Sequence, residues 1–207
     1  CIYSLLNSFM QIHNLFPTAV STTDLDYTID NSEFDFINQQ EFQDNRHNHR
    51  SVDSYLLEKN ELSSLRNEIN KHVQMYFKEV YQPNDHVSLH ITQSWCNKTY
   101  PGEMHHKHAH TNSIISGVYY VSANADLDRI WFDKGNVDSL QIEPVNFNSY
   151  NATSWYFPVH SGQLVLFPSS LLHYVNVVEK DVRVSLSFNT FVKGSIGSEF
   201  LLSELNL

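Results

Sequence analysis

The chain has 207 residues, 41% apolar and 13% aromatic, enough to bury one sizeable core and too few to favour two. Thirteen Lys and Arg against 23 Asp and Glu leave a formal charge of −10, a field that repels phosphate backbones and disfavours a nucleic-acid partner. Only two cysteines occur, Cys1 and Cys96, which argues against a disulfide framework or a cysteine zinc site and suits a reducing cytoplasm.

The opening ten residues are mildly apolar but lack a basic start and a small-residue cleavage pattern, so they do not read as a secretory signal; Met10 is a plausible start. No run reaches the roughly 18 apolar residues of a membrane span, which predicts a soluble protein. Residues 38–50 are polar enough to predict mobility. From Leu62 through Leu65, Ile69, Val73, Tyr76 and Val80 the apolar positions step by three or four, which predicts one amphipathic helix with Asn60 as its N-cap. Segments 87–95, 114–121, 130–132, 163–167 and 182–188 are rich in β-branched and aromatic residues and predict strands. Residues 134–160, rich in Asn, Ser and Tyr, read as a long loop. A mainly β barrel or sandwich of jelly-roll type, packed against one flanking helix, follows from this order.

Twelve histidines occur, and five of them fall between His90 and His110. In His105-His-Lys-His-Ala-His110 alternate side chains share a face if the segment is extended, which groups His106, His108 and His110. Two imidazoles two residues apart on a strand can chelate one metal. A third ligand must come from elsewhere, and His173, after the strand 163–167 and the turn Pro168-Ser-Ser170, is the natural candidate. Arg183 stands ten residues later in an Arg-Val-Ser triplet, and a guanidinium with a hydroxyl aimed into a barrel suits a carboxylate ligand.

At these residues the chain resembles the Fe(II)- and 2-oxoglutarate-dependent oxygenases, in particular a prolyl-hydroxylase-like branch of bacteria and phages. The resemblance spans about 87–192 and rests on Trp95-Cys-Asn97, His108-Ala-His110, Ser113-Ile-Ile-Ser-Gly-Val-Tyr-Tyr120, Gly162-Gln-Leu-Val-Leu-Phe-Pro168 with His173, and Arg183-Val-Ser-Leu-Ser-Phe-Asn189. It implies a double-stranded β-helix, a cupin-like jelly-roll barrel, in a single oxygenase domain over 1–207, with 1–86 as N-terminal support and 87–192 as the catalytic core. It also implies Fe(II), 2-oxoglutarate and O2 as cofactor and co-substrates, oxidising a C–H bond of a small-molecule or peptide substrate. By the same resemblance His108, His110 and His173 are the metal ligands, Arg183 binds the distal carboxylate of 2-oxoglutarate with help from Ser185, and Asn97 and Tyr100 are further co-substrate contacts. One departure stands out. The superfamily usually carries His-x-Asp or His-x-Glu where this chain has His108-Ala-His110, which leaves His106 or an unforeseen carboxylate as alternative second ligands.

Unperturbed imidazoles protonate near pH 6.5, so a site of three predicts metal loss between about pH 7 and pH 5. Tyr119, Tyr120, Trp131 and Trp155 are candidates for the pocket wall, although core packing is the commoner role of such rings. Two rival readings share the fold: a cupin that needs no 2-oxo acid, and a non-catalytic metal-binding module of phage type. The cupin glutamate is missing after His110, and a cupin gives no reason for Arg183.

Overall fold

The structure, a computed structural model, describes residues 10–135, 140 and 142–207. The expectation about residues 1–9 lies outside the described residues, as do 136–139 and 141 of the 134–160 stretch. In chain order the elements are β1 (Ser21–Asp24), α1 (Asn31–Asn38), β2 (Phe42–Asp44), β3 (His49–Ser51), α2 (Ser63–Tyr81), β4 (Ser88–Thr99), β5 (His105–His108), β6 (Ile115–Ser122), β7 (Arg129–Asp133), β8 (Ser154–Pro158), β9 (Gln163–Pro168), β10 (Leu172–Val175) and β11 (Arg183–Lys193). A short hairpin of Ser195–Ile196 with Leu205–Asn206 ends the chain.

Two sheets form a jelly roll, the double-stranded β-helix. The larger runs β1-β9-β6-β11-β4-β3-β2 and the smaller β5-β10-β7-β8. Side chains alternate across a strand, so each strand of the larger sheet serves two cores. Val184, Leu186 and Phe188 of β11, Ile115 and Tyr119 of β6 and Leu164 and Leu166 of β9 pack with Leu65, Ile69 and Val73 of α2. The residues between them face the other way. Val118 and Tyr120 of β6 and Val165 and Phe167 of β9 meet Ile130 and Phe132 of β7, which holds the two sheets together. Leu65, Ile69 and Val73 are fully buried, and each such side chain stabilises the fold by roughly 1.5–3 kcal/mol.

Two glycines set local geometry. Gly162 turns the chain into β9 at φ +86°, a conformation L side chains rarely adopt. Gly117 lies under the Phe188 ring, where a Cβ would come within 2.2 Å of Cζ and 2.8 Å of a Leu166 methyl.

Four expectations need correction. Asn60 is not the N-cap of the long helix: it opens a 3-10 turn, and Leu62 precedes α2 without a side-chain cap. The stripe from Leu62 to Tyr76 is buried, but Val80 has rotated to 43% exposure. Residues 38–50 are ordered into the β2–β3 hairpin, which pairs with β4 at the sheet edge, where polar composition is tolerated because one face is wet. Finally, 134–160 is not all loop. Ser154–Pro158 pairs with β7 as the edge of the smaller sheet. No helix among the described residues is long and apolar enough to cross a membrane.

Candidate metal centre and its cavity

The interior faces of the two sheets enclose a cavity lined from the larger sheet by Trp95, Asn97, Tyr120, Arg183, Ser185 and Ser187. Parity explains this set: on β11 the polar residues Arg183, Ser185, Ser187 and Asn189 alternate with the apolar ones that meet α2. The smaller sheet supplies His105, His108 and His173 to the same cavity. His173 on β10 stands directly opposite His108 on β5. His110 is not on that strand. The strand ends at His108, and the His110 backbone N–H donates to the Ser169 carbonyl at 2.9 Å, which turns its ring back towards His173.

The donor atoms of His108, His110 and His173 lie within 4.8 Å of one another. His108 Nδ1 faces the His106 carbonyl at 2.7 Å, and His173 Nδ1 faces the Leu171 carbonyl at 2.9 Å. A carbonyl only accepts, so both Nδ1 atoms carry the proton and both Nε2 atoms keep a lone pair. Such second partners commonly orient metal-bound imidazoles. His110 Nε2 is 3.3 Å from His173 Nε2; two nitrogens about 2.0–2.1 Å from one ion are separated by roughly 2.9 Å at a right angle and 3.4 Å at a tetrahedral one. Burial depresses the pKa of His110 to about 4 and of His173 to about 3, and lowers that of His108. All three are therefore neutral near pH 7, as ligation requires. The donor set fits a divalent transition metal. His106, grouped with His108 and His110 on parity, instead clusters with His105 and His108.

Elsewhere in the cavity Arg183 is 4% exposed. Its guanidinium donates to the Arg129 carbonyl and to the Tyr120 hydroxyl, each at 3.2 Å, and lies over the Tyr120 ring. Burial raises the Tyr120 pKa, so this hydroxyl stays neutral and cancels no charge. Among the described residues no carboxylate pairs with Arg183. A buried cation without a counterion is costly, and a ligand carboxylate removes that cost. Asn97 donates from Nδ2 to Ser187 at 3.0 Å, which leaves its Oδ1 buried without a partner. Amide orientation is a choice between two similar fits. In the flipped orientation Ser187 donates to Oδ1, and Nδ2 offers its hydrogens to an anion in the cavity.

Asn97, Ser185, Arg183 and the three histidines thus line one cavity, and Tyr100 does not. Tyr100 follows the end of β4, is 43% exposed, and sets its ring edge-on to His49. Of the four rings considered for the wall, Tyr120 lines the cavity, while Tyr119 packs on the α2 side. Trp131 packs at a tilt against Tyr156 and stacks with Tyr174, and Trp155 is 44% exposed. His105 and Ser187 were not foreseen as lining residues. Ser187 shares the parity of Arg183 and Ser185 and was legible; His105 reaches the cavity through an irregularity in the β5–β10 register.

Residues 93–189 match the family model described as "Putative 2OG-Fe(II) oxygenase". Over that span the chain is similar to the Fe(II)- and 2-oxoglutarate-dependent oxygenases that this model describes. No curated protein matches. Among solved structures, HygX from Streptomyces hygroscopicus, crystallised with nickel, 2-oxoglutarate and hygromycin B, is 12% identical, covering 84% of this chain and 83% of its own, at a TM-score of 0.59. A Pseudomonas putida prolyl-4-hydroxylase is 12% identical, covering 83% and 92%, at 0.54. The carbocyclase SnoK from nogalamycin biosynthesis is 10% identical, covering 88% and 84%, at 0.56. At these identities the likeness is one of fold.

Proposed function

We propose that His108, His110 and His173 hold the Fe(II), that Arg183 and Ser185 bind the distal carboxylate of 2-oxoglutarate, and that Asn97 gives a further hydrogen bond to it. The observation that carries this reading is the unpaired, buried Arg183 lining the same cavity as three convergent imidazoles. When bound, iron supplies dioxygen activation: 2-oxoglutarate is oxidised to succinate and carbon dioxide with one oxygen atom, and the other enters a substrate C–H bond. The protein's own contribution is positional. The carbonyls of residues 106 and 171 fix two ligand rings, Arg183 and Tyr120 orient the co-substrate, and Val118, Ile130 and Phe167 keep water from the wall beside it. The cupin reading leaves Arg183 without a task.

The cavity opens into a cleft lined by Asn45, Arg50, Ser54, Gln93, Thr111 and Asn189 beside the histidines, with no carboxylate among its lining residues. Arg50 donates to the Ser51 carbonyl and the Ser54 hydroxyl and has no ion-pair partner among the described residues. We read the substrate as a polar small molecule or peptide side chain that offers acceptor oxygens to this cleft. The acidic balance of the chain disfavours nucleic acid. Of the proposed N-terminal support 1–86, the described residues 10–86 are read as buttressing the core 87–192 in a single unit, and the free, buried Cys96 suits a reducing cytoplasm.

The test is succinate formation from 2-oxoglutarate with Fe(II) and ascorbate, together with anaerobic 2-oxoglutarate titration of the metal-loaded protein. Iron binding with neither 2-oxoglutarate binding nor succinate would sink the oxygenase reading and restore the cupin.

A further inference from the structure

The histidine run holds a second grouping. Donor atoms of His105, His106 and His108 also lie within 4.8 Å of one another. Their ring centroids are 4.6 Å apart for His105 and His108, 5.2 Å for His105 and His106, and 5.0 Å for His106 and His108. Among the described residues, His105 and His106 keep ring nitrogens that no strong hydrogen bond uses. His106 Nδ1 is buried without a hydrogen-bond partner, and the Nε2 of His105 has only a 3.5 Å contact with the Asn45 amide. All three rings border the open cleft, so an ion arriving from solvent reaches them directly.

One residue belongs to both groupings. His108 has Nδ1 committed to the His106 carbonyl, so Nε2 is its one free donor atom, and one nitrogen serves one ion at a time. We propose that His105, His106 and His108 form an alternative metal site that competes with the inner triad for His108. Its all-imidazole donor set suits Zn2+ or Ni2+, which bind nitrogen sites more tightly than Fe2+ does. Filling it leaves the inner site with only His110 and His173, so an ion held at the outer site weakens iron binding without occupying the iron position. This outer site stands whatever reaction the inner one serves.

The probe is Zn2+ alone, titrated into apo protein against a chromophoric chelator. His110→Gln removes one inner ligand and spares the outer three; it is expected to bind one equivalent of Zn2+. Adding His105→Gln and His106→Gln to it is expected to weaken that binding at least a hundredfold. Equal affinities in the two proteins would place the ion on the remaining inner pair and overturn the proposal. No binding by a His110→Gln protein whose circular dichroism and melting match the parent would do the same. His173→Gln, with and without the outer substitutions, repeats the comparison in a second background should His110→Gln fold poorly. The parent is expected to take one tight equivalent; two would overturn the sharing of His108.

Discussion

Replacing Arg183 by methionine separates what the residue does for the fold from what it does for the ligand. In the free protein the guanidinium is 4% exposed and unpaired, a desolvation cost of several kcal/mol. Two hydrogen bonds, worth about 1.5–3 kcal/mol each for a charged donor, and the contact with the Tyr120 ring, about 1–2 kcal/mol, offset it. These terms nearly cancel, so Arg183→Met should leave the apo protein within about 2 kcal/mol of the parent, since methionine fills the same channel. Binding does not cancel. Loss of a charge-assisted carboxylate contact costs roughly ten- to a hundredfold in affinity. At 2-oxoglutarate a hundred times the parent's Kd, linkage stabilises the parent by about 2.7 kcal/mol, which is roughly 5–11 °C in Tm for a chain of this size. A hundredfold weaker variant keeps about 0.4 kcal/mol, or about 1 °C. The assay is anaerobic calorimetry with Mn2+ as a redox-silent stand-in, with and without 2-oxoglutarate. A variant whose ligand-dependent shift equals the parent's, or whose apo Tm collapses while that shift survives, would refute the assignment and make Arg183 a structural residue.

Gly117→Ala should lower Tm by overpacking against Phe188, about 1–3 kcal/mol, and Phe188→Leu in the same protein should recover part of it; additive losses in the double variant would contradict the close approach. Burial holds His105 at a pKa of about 2, His173 at about 3 and His110 at about 4, all below the ~6.5 of an unfolded imidazole. The unfolded chain therefore takes up protons first, and apo stability falls as pH drops from about 6.5 towards those values, by about 2 kcal/mol per group at pH 5. Urea midpoints at pH 7.5 and pH 5 measure this, and a flat profile would deny the burial. The same shifts revise the expected metal release: burial holds His110 and His173 neutral to lower pH than free imidazoles, so protons should displace the metal below the window from pH 7 to pH 5 that unperturbed rings would give. Finally, His110→Asp should bind Mn2+ at least tenfold tighter and 2-oxoglutarate more weakly, read by Mn2+ resonance and anaerobic titration. Unchanged metal affinity would remove His110 from the ligand set.

Much of the site was readable because a strand has period two. Arg183-Val-Ser-Leu-Ser-Phe-Asn189 assigns every second residue to the cavity, and the structure follows that parity without a break through Ser187. The same rule could have excluded Tyr100. Asn97 and Thr99 share the inner parity of β4, and a residue three positions after Asn97 cannot share it. His110 obeyed a different logic, since a turn after His108 and a backbone bond to Ser169 orient it, and neither has a local signature. The strands that went unread, β1, β2, β3, β8 and β10, are three to five residues long, and four of them lack the apolar alternation that makes a strand visible. Their pairing comes from the neighbouring strand, not from their own composition.

In the proposed ligand set the third histidine changes the charge of the whole centre. With two imidazoles and a carboxylate, a divalent ion, a dianionic 2-oxo acid and one arginine sum to zero. With His108, His110 and His173 the same assembly carries one positive charge, and among the described residues no carboxylate forms an ion pair with Arg183. At an effective dielectric of ~20 a unit charge about 4 Å away is worth about 4 kcal/mol. The imidazole triad thus gives up attraction for the metal and gains it for the co-substrate, which is why His110→Asp should move the two affinities in opposite directions. The cleft outside follows the same sign: in a chain of formal charge −10, the described residues place no carboxylate along it and give Arg50 no ion-pair partner there. An acidic protein that clears its own acids from one opening attracts electron-rich groups to that opening, and the oxygen-rich substrate class proposed above is what such a field selects.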